Sequence, residues 1–110
     1  MTMPAYPLLI DALPEFAHEL EELLTKQCEL GLAAKVGDQR IVDRCRCGDD
    51  FCATFYTQPK PEVNYGPNHK CIELSSQEGM IILDIVDGKI MNIEVLFRDE
   101  IRDQLHAILP

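Results

Sequence analysis

The chain has 110 residues, the size of a single domain with one hydrophobic core, and its 46% hydrophobic and 26% charged composition is that of an ordinary globular protein. Nineteen acidic and ten basic side chains give a formal charge of −9. That balance argues against a phosphate-binding surface for nucleic acid and suits a basic protein partner steered by complementary fields.

Pro4 and Pro7 around Tyr6 favour an extended lead-in from Met1 to Ile10. Asp11 is expected to cap a first helix with Pro14 in its first turn. Leu13, Phe16, Leu20, Leu23 and Leu24 recur at helical spacing, while Glu15, Glu19 and Glu22 make an acidic outer face. Gly31 suits the position just past the helix end. Residues 32–36 fit either a helical turn or an edge strand.

Arg40 to Cys47 and Cys52 to Thr57 read as two strands joined at Gly48-Asp49-Asp50-Phe51. In that hairpin Cys47 faces Cys52, and Cys45 lies two residues back on the same face, so three sulfurs share one patch. Gln58 to Lys70, with three prolines and Gly66, is expected to be a long surface loop whose contact residues are Tyr65 and His69. Cys71 to Leu74 reads as a short strand and Ser75 to Gly79 as a turn.

Met80 to Val86 and Ile90 to Leu96 form the clearest pair of strands. A three-residue loop, Val86-Asp87-Gly88, is expected, because it places Ile81, Leu83, Ile85, Met91, Ile93 and Val95 on one face. Asp84, Asn92 and Glu94 then fall on the other. Arg98 to Leu109 is a final amphipathic helix, with Phe97, Ile101, Leu105 and Ile108 on its apolar side.

The cysteines raise the question of metal. Cys45, Cys47 and Cys52 could bind zinc, with Cys71 or His69 as a fourth ligand. Against this, strand-borne Cys45 and Cys47 lie about 7 Å apart at a rise of about 3.3 Å per residue, which is long for two ligands of one ion. Packed free thiols are therefore the expected state, with no cofactor, and a zinc or thiol redox module is the alternative. A catalytic pair of Cys71 and His69 is discounted on the expectation that the two point to opposite faces. His18 and His106 read as surface residues. No triad, phosphate loop or complete calcium loop is present, so a non-catalytic role is expected.

The N-terminus lacks a basic signal region, and Leu8-Leu9-Ile10 is too short for a membrane span. An odd number of cysteines fits reduced thiols in a cytoplasmic protein. The runs Cys45-Arg46-Cys47-Gly48-Asp49-Asp50-Phe51-Cys52-Ala53-Thr54-Phe55-Tyr56-Thr57 and Ile82-Leu83-Asp84-Ile85-Val86-Asp87-Gly88-Lys89-Ile90 resemble small uncharacterised bacterial proteins of the toxin-immunity type. The resemblance implies a protein that neutralises a basic cognate toxin, such as a nuclease. Its contacts would be drawn from Glu15, Glu19, Glu22, Asp49, Asp50, Tyr65 and Glu94. The fold expected is α+β: an N-terminal helix, an antiparallel sheet of about five strands, and a C-terminal helix packed on one sheet face.

Overall fold

The apolar run from Met80 to Val86 and the alternating Ile90 to Leu96 build the centre of the sheet. In the computed structural model, which describes residues 6–62 and 64–110, they form strands β4 (Met80–Val86) and β5 (Lys89–Leu96). Strands β1 (Asp43–Arg44), β2 (Phe55–Tyr56) and β3 (His69–Leu74) complete an antiparallel sheet of order β1-β2-β5-β4-β3. The expected α+β architecture is present. Helix α2 (Pro14–Lys26) and the C-terminal helix α4 (Asp99–Ile108) bury Phe16, Leu20, Leu24, Ile101 and Leu105 against Phe55, Ile81, Leu83, Ile93 and Val95. Among the described residues the opposite sheet face carries no helix.

The central hairpin corrects the expected loop. Val86 pairs with Lys89 across a two-residue turn, in which Asp87 and Gly88 both have positive φ (51° and 77°). That is a type I′ turn, whose twist matches the strands it joins. A two-residue turn alone would put Glu94 opposite Ile81. The mismatch is absorbed by a bulge: Ile85 pairs with Ile90 but Asp84 pairs with Asn92, leaving Met91 without a partner on β4. Beyond it Leu83 faces Ile93 and Ile81 faces Val95. Ile90 therefore joins the core, and Met91, expected there, is only half-buried. Its carbonyl accepts the N–H groups of Thr57 and Gln58.

The N-terminal segment also differs. Residues 1–5, including Pro4, lie outside the described residues; 6–8 are non-helical, and a short helix α1 (Leu9–Ala12) follows. Asp11 sits inside α1, and Leu13 occupies the cap position ahead of Pro14. The proline at the first position of α2 has no N–H to continue α1, so the chain breaks there. At the other end Cys28, not Gly31, takes the left-handed conformation (φ 63°) that closes α2, and the Glu29 N–H reaches the Leu24 carbonyl. Gly31 lies within α3 (Leu30–Ala33), so residues 32–36 resolve as helical turns.

The strands of the cysteine hairpin are shorter than expected because other partners take their ends. Arg40 bridges Leu8, and the Ile41 N–H bonds the Pro7 carbonyl. The register is nonetheless the expected one, with Asp43 opposite Tyr56, Arg44 opposite Phe55, and the Cys45 N–H on the Thr54 carbonyl at 2.8 Å.

Gly79 shows how the sheet is tied to α4. Its φ is +64°, and a Cβ there would sit 2.2 Å from the Leu96 carbonyl oxygen. Phe97, expected on the apolar side of α4, instead precedes the helix at φ 63° and is 60% exposed, stacked on Phe51. Arg98, at the polar start of α4, is buried.

Candidate functional site

The cysteine hairpin brings its three thiols together, as expected, but through a turn rather than through strand parity. The ligating atoms of Cys45, Cys47 and Cys52 all lie within 4.8 Å of one another, closer than two extended-strand positions allow. Regular pairing ends at Arg44, and the chain turns at Gly48 (φ 84°), with the Cys52 N–H closing back on the Asp49 carbonyl at 3.2 Å. That turn removes the distance objection to a shared ion. Nor are the thiols packed in the core: Cys47 is exposed, and Cys45 and Cys52 are half-buried.

Their electrostatics differ. Burial pushes the Cys45 thiol up to about 11, with the neighbouring Cys47 and Cys52 thiols adding to the shift. Burial acts the same way on Cys52, but hydrogen bonds from the Thr54 backbone and hydroxyl and from Cys47 and Cys45 outweigh it, and its thiol falls below the ordinary value. Of Cys45 and Cys52, Cys52 is therefore the more readily deprotonated.

Helix α4 supplies the rest of this pocket. Arg44 donates to the Leu109 carbonyl, Arg46 to the Pro110 carbonyl at 3.1 Å, and Arg102 to the Asp50 carbonyl. These ties bring Arg102 and His106 to the wall of a cavity of about 240 Å³ that the three cysteines also line. His106, read from the sequence as a surface residue, is exposed and also lines this cavity. Nothing local in the sequence distinguishes it, because its place depends on docking α4 against a hairpin some fifty residues earlier.

Cys71 and His69, the expected fourth ligands, do not reach this pocket. They lie on β3, at the opposite edge of the sheet from β1, four strand spacings or roughly 19 Å away. Nor do they point to opposite faces. Residues two apart on a strand share a face, and both meet Asp84 of β4: His69 Nε2 at 2.6 Å and Cys71 Sγ at 3.1 Å from the same oxygen, Oδ1. The two are 3.7 Å from each other. Asp84 pairs directly with Cys71 across the ladder, which explains the meeting.

This second group opens into a cleft of about 380 Å³ on the helix-free face, lined by Tyr56, Lys60, Pro61, Asn64, Tyr65, His69, Asp84, Asn92 and Glu94. Tyr65 leans over it, its hydroxyl donating to Asn92 Oδ1 at 3.0 Å and its ring 4.9 Å from that of His69. A hydrogen bond to Asp84, reinforced by burial and by the charge of Asp84, pushes the Glu94 carboxyl up to about 7. Burial raises Asp84 too, but hydrogen bonds from Glu94, Cys71 and His69 hold it below the usual carboxylate range. The hydrogen bond to Asp84 pushes the Cys71 thiol up to about 11.

The expected partner contacts do not form one surface. Tyr65 and Glu94 meet in the cleft, whereas Glu15, Glu19 and Glu22 lie on α2 in the helical layer. Asp49 and Asp50 are exposed at the hairpin tip. Glu19 is engaged by Arg98, and Glu22 pairs with His18 at 2.9 Å.

No known protein family, curated protein or solved structure matches this chain. Among the described residues no helix is long and apolar enough to cross a membrane.

Proposed function

We propose that this protein is a small metal-binding module that holds a thiophilic divalent ion of the zinc class on Cys45, Cys47 and Cys52, with exposed His106, which lines the same cavity but lies outside the 4.8 Å group, moving in as fourth donor. The observation that carries the reading is the convergence of three unpaired thiols within 4.8 Å. Zn–S bonds near 2.3 Å set thiolates roughly 4 Å apart around a tetrahedral ion, which this spacing accommodates. One disulfide would leave a third thiol unused, whereas one ion uses all three. Three thiolates and a neutral imidazole around a dication leave one net negative charge, and Arg44 and Arg102 line the same cavity to offset it. The role is non-catalytic, and reduced thiols suit a cytoplasmic setting.

Equilibration of the full chain with Zn²⁺ followed by elemental analysis tests this. Cys47→Ser/Cys52→Ser should lose one zinc per chain, and Co²⁺ substitution should give intense thiolate-to-metal absorption that the double variant loses. A Cys47–Cys52 disulfide in freshly purified protein, with zinc content unchanged by the double substitution, would replace the metal reading with a redox one.

A second reading, binding of a basic protein such as a cognate toxin, is favoured by one patch. The stacked and exposed Phe51–Phe97 pair, ring centroids 5.3 Å apart, adjoins Asp49 and Asp50. Aromatic anchors with a charged rim suit a protein interface. Asp49→Lys/Asp50→Lys should slow association at low salt; an unchanged rate with the purified partner would remove this patch from the interface.

A further inference from the structure

We propose a second divalent-metal site on the helix-free face, with His69 Nε2, Cys71 Sγ and Asp84 Oδ1 as its protein ligands and a remaining coordination position facing the cleft under Tyr65. The site stands apart from the cysteine hairpin and does not depend on it.

Three different donor types converge here from two adjacent strands. The pairs are 2.6 Å (N–O), 3.1 Å (S–O) and 3.7 Å (N–S). With metal–nitrogen and metal–oxygen bonds near 2.0 Å and metal–sulfur near 2.3 Å, the edges of a tetrahedron are about 3.3–3.6 Å. The two contacts to Asp84 therefore have to open by only about 0.4–0.7 Å to seat an ion, and the third edge is already at full length. His69 and Cys71 are half-buried or exposed on an edge strand, which leaves them free to make that adjustment.

Asp84 is the fixed corner. Its side chain is 7% exposed on a central strand, where it pairs with Cys71 on one side and Asn92 on the other. A thiol and an imidazole both close on one oxygen of a largely buried carboxylate. A dication gives all three donors a common partner. Imidazole, thiolate and carboxylate together suit zinc or cobalt better than calcium or magnesium, which take oxygen ligands. Three protein ligands beside an open cleft is the arrangement of a site that keeps a position for water or a small ligand, unlike the closed site expected at the hairpin.

The experiment uses the full chain in the Cys47→Ser/Cys52→Ser background, dialysed against Zn²⁺ or Co²⁺. One zinc per chain should remain, and the cobalt form should show a single weak thiolate-to-metal band. Cys71→Ser and, separately, His69→Ala should each weaken that binding more than about tenfold. Cys71 is exposed, so its serine variant keeps the fold, and thermal melts of the metal-free proteins check this. If the double-variant background binds no zinc, or binds it with an affinity that neither substitution changes, there is no site here. Zinc lost through Cys71→Ser but not through the hairpin substitutions would uphold this site and overturn the hairpin reading.

Discussion

Arg98 grips Glu19 with both arms of its guanidinium: Nη2 donates to Oε1 at 2.8 Å and Nη1 to Oε2 at 2.9 Å. Arg98 is buried at the start of α4, beneath α2, with its guanidinium 5.8 Å from the Phe16 ring centre. The pair therefore clamps the first long helix to the last. Glu100 and Glu78 add further carboxylates around the same cation. An acidic position that helical spacing assigns to a binding face is in fact part of the structure.

Reversing the charge of the acidic face should accordingly not leave the fold intact. Glu19→Lys sets two cations together at a mostly buried site and should cost about 3 kcal/mol. Glu15→Lys and Glu22→Lys, both at exposed positions, should each stay within about 0.5 kcal/mol. Denaturant titration of the three single variants checks this; equal effects would mean the clamp contributes nothing.

The clamp also gives stability an acid limb. Arg98, by hydrogen bond and then by charge, holds Glu19 below its ordinary value of 4.5, against the opposing effect of burial. A depressed carboxyl stabilises the folded state above its unfolded pKa and loses that contribution as pH falls through the folded one. The melting-temperature gap between the natural protein and Glu19→Gln should thus be level above about pH 5 and narrow below the ordinary value. A gap that widens in acid would reverse the assignment.

Gly79→Ala should be among the most damaging small substitutions. Its Cβ would meet backbone, the Leu96 carbonyl at 2.2 Å, in a conformation already unfavourable to side chains. A loss of about 2–4 kcal/mol is expected in chemical denaturation. Gly66→Ala has a similar φ of +85° but open space around it, and should cost only about 1 kcal/mol.

The register of β5 can be tested with two carboxylates placed side by side. Ile93→Asp buries an unpaired charge opposite Leu83 and should cost at least about 3 kcal/mol. Asn92→Asp, which parity alone suggests is harmless, adds a carboxylate directly across from Asp84 and should cost about 1–2 kcal/mol at neutral pH. Thermal melts showing Asn92→Asp unaffected would mean the polar face is more open to solvent than its 6% exposure indicates.

Phe97 offers a test of backbone strain. At φ 63° a side chain is disfavoured and glycine is not. Phe97→Gly should therefore be more stable than Phe97→Ala by about 1 kcal/mol, although both lose the stack on Phe51. The reverse order in melts would show that Phe97 does not hold the left-handed conformation in solution.

By itself the sequence determined the elements and the faces they present. Apolar periodicity placed Phe16, Leu20 and Leu24 in the core, strand parity did the same for Ile81, Leu83 and Ile93, and the hairpin turn brought Cys45, Cys47 and Cys52 to one patch. These follow from local geometry, since side chains three or four apart on a helix and two apart on a strand share a side in any fold. The same rule puts His69 and Cys71 on one face, against the opposite faces expected for them. Tertiary structure alone decided what met what. His106 entered the cysteine pocket because α4 is hydrogen-bonded to that hairpin, and Arg98 reached Glu19 because the two helices lie on the same sheet face. The two-residue turn set Ile90 opposite Ile85 in the core, and the bulge at Met91 returned Ile93 and Val95 to the same face. Such meetings depend on contacts distant in sequence, and those are set by burial of the whole core rather than by any window of residues.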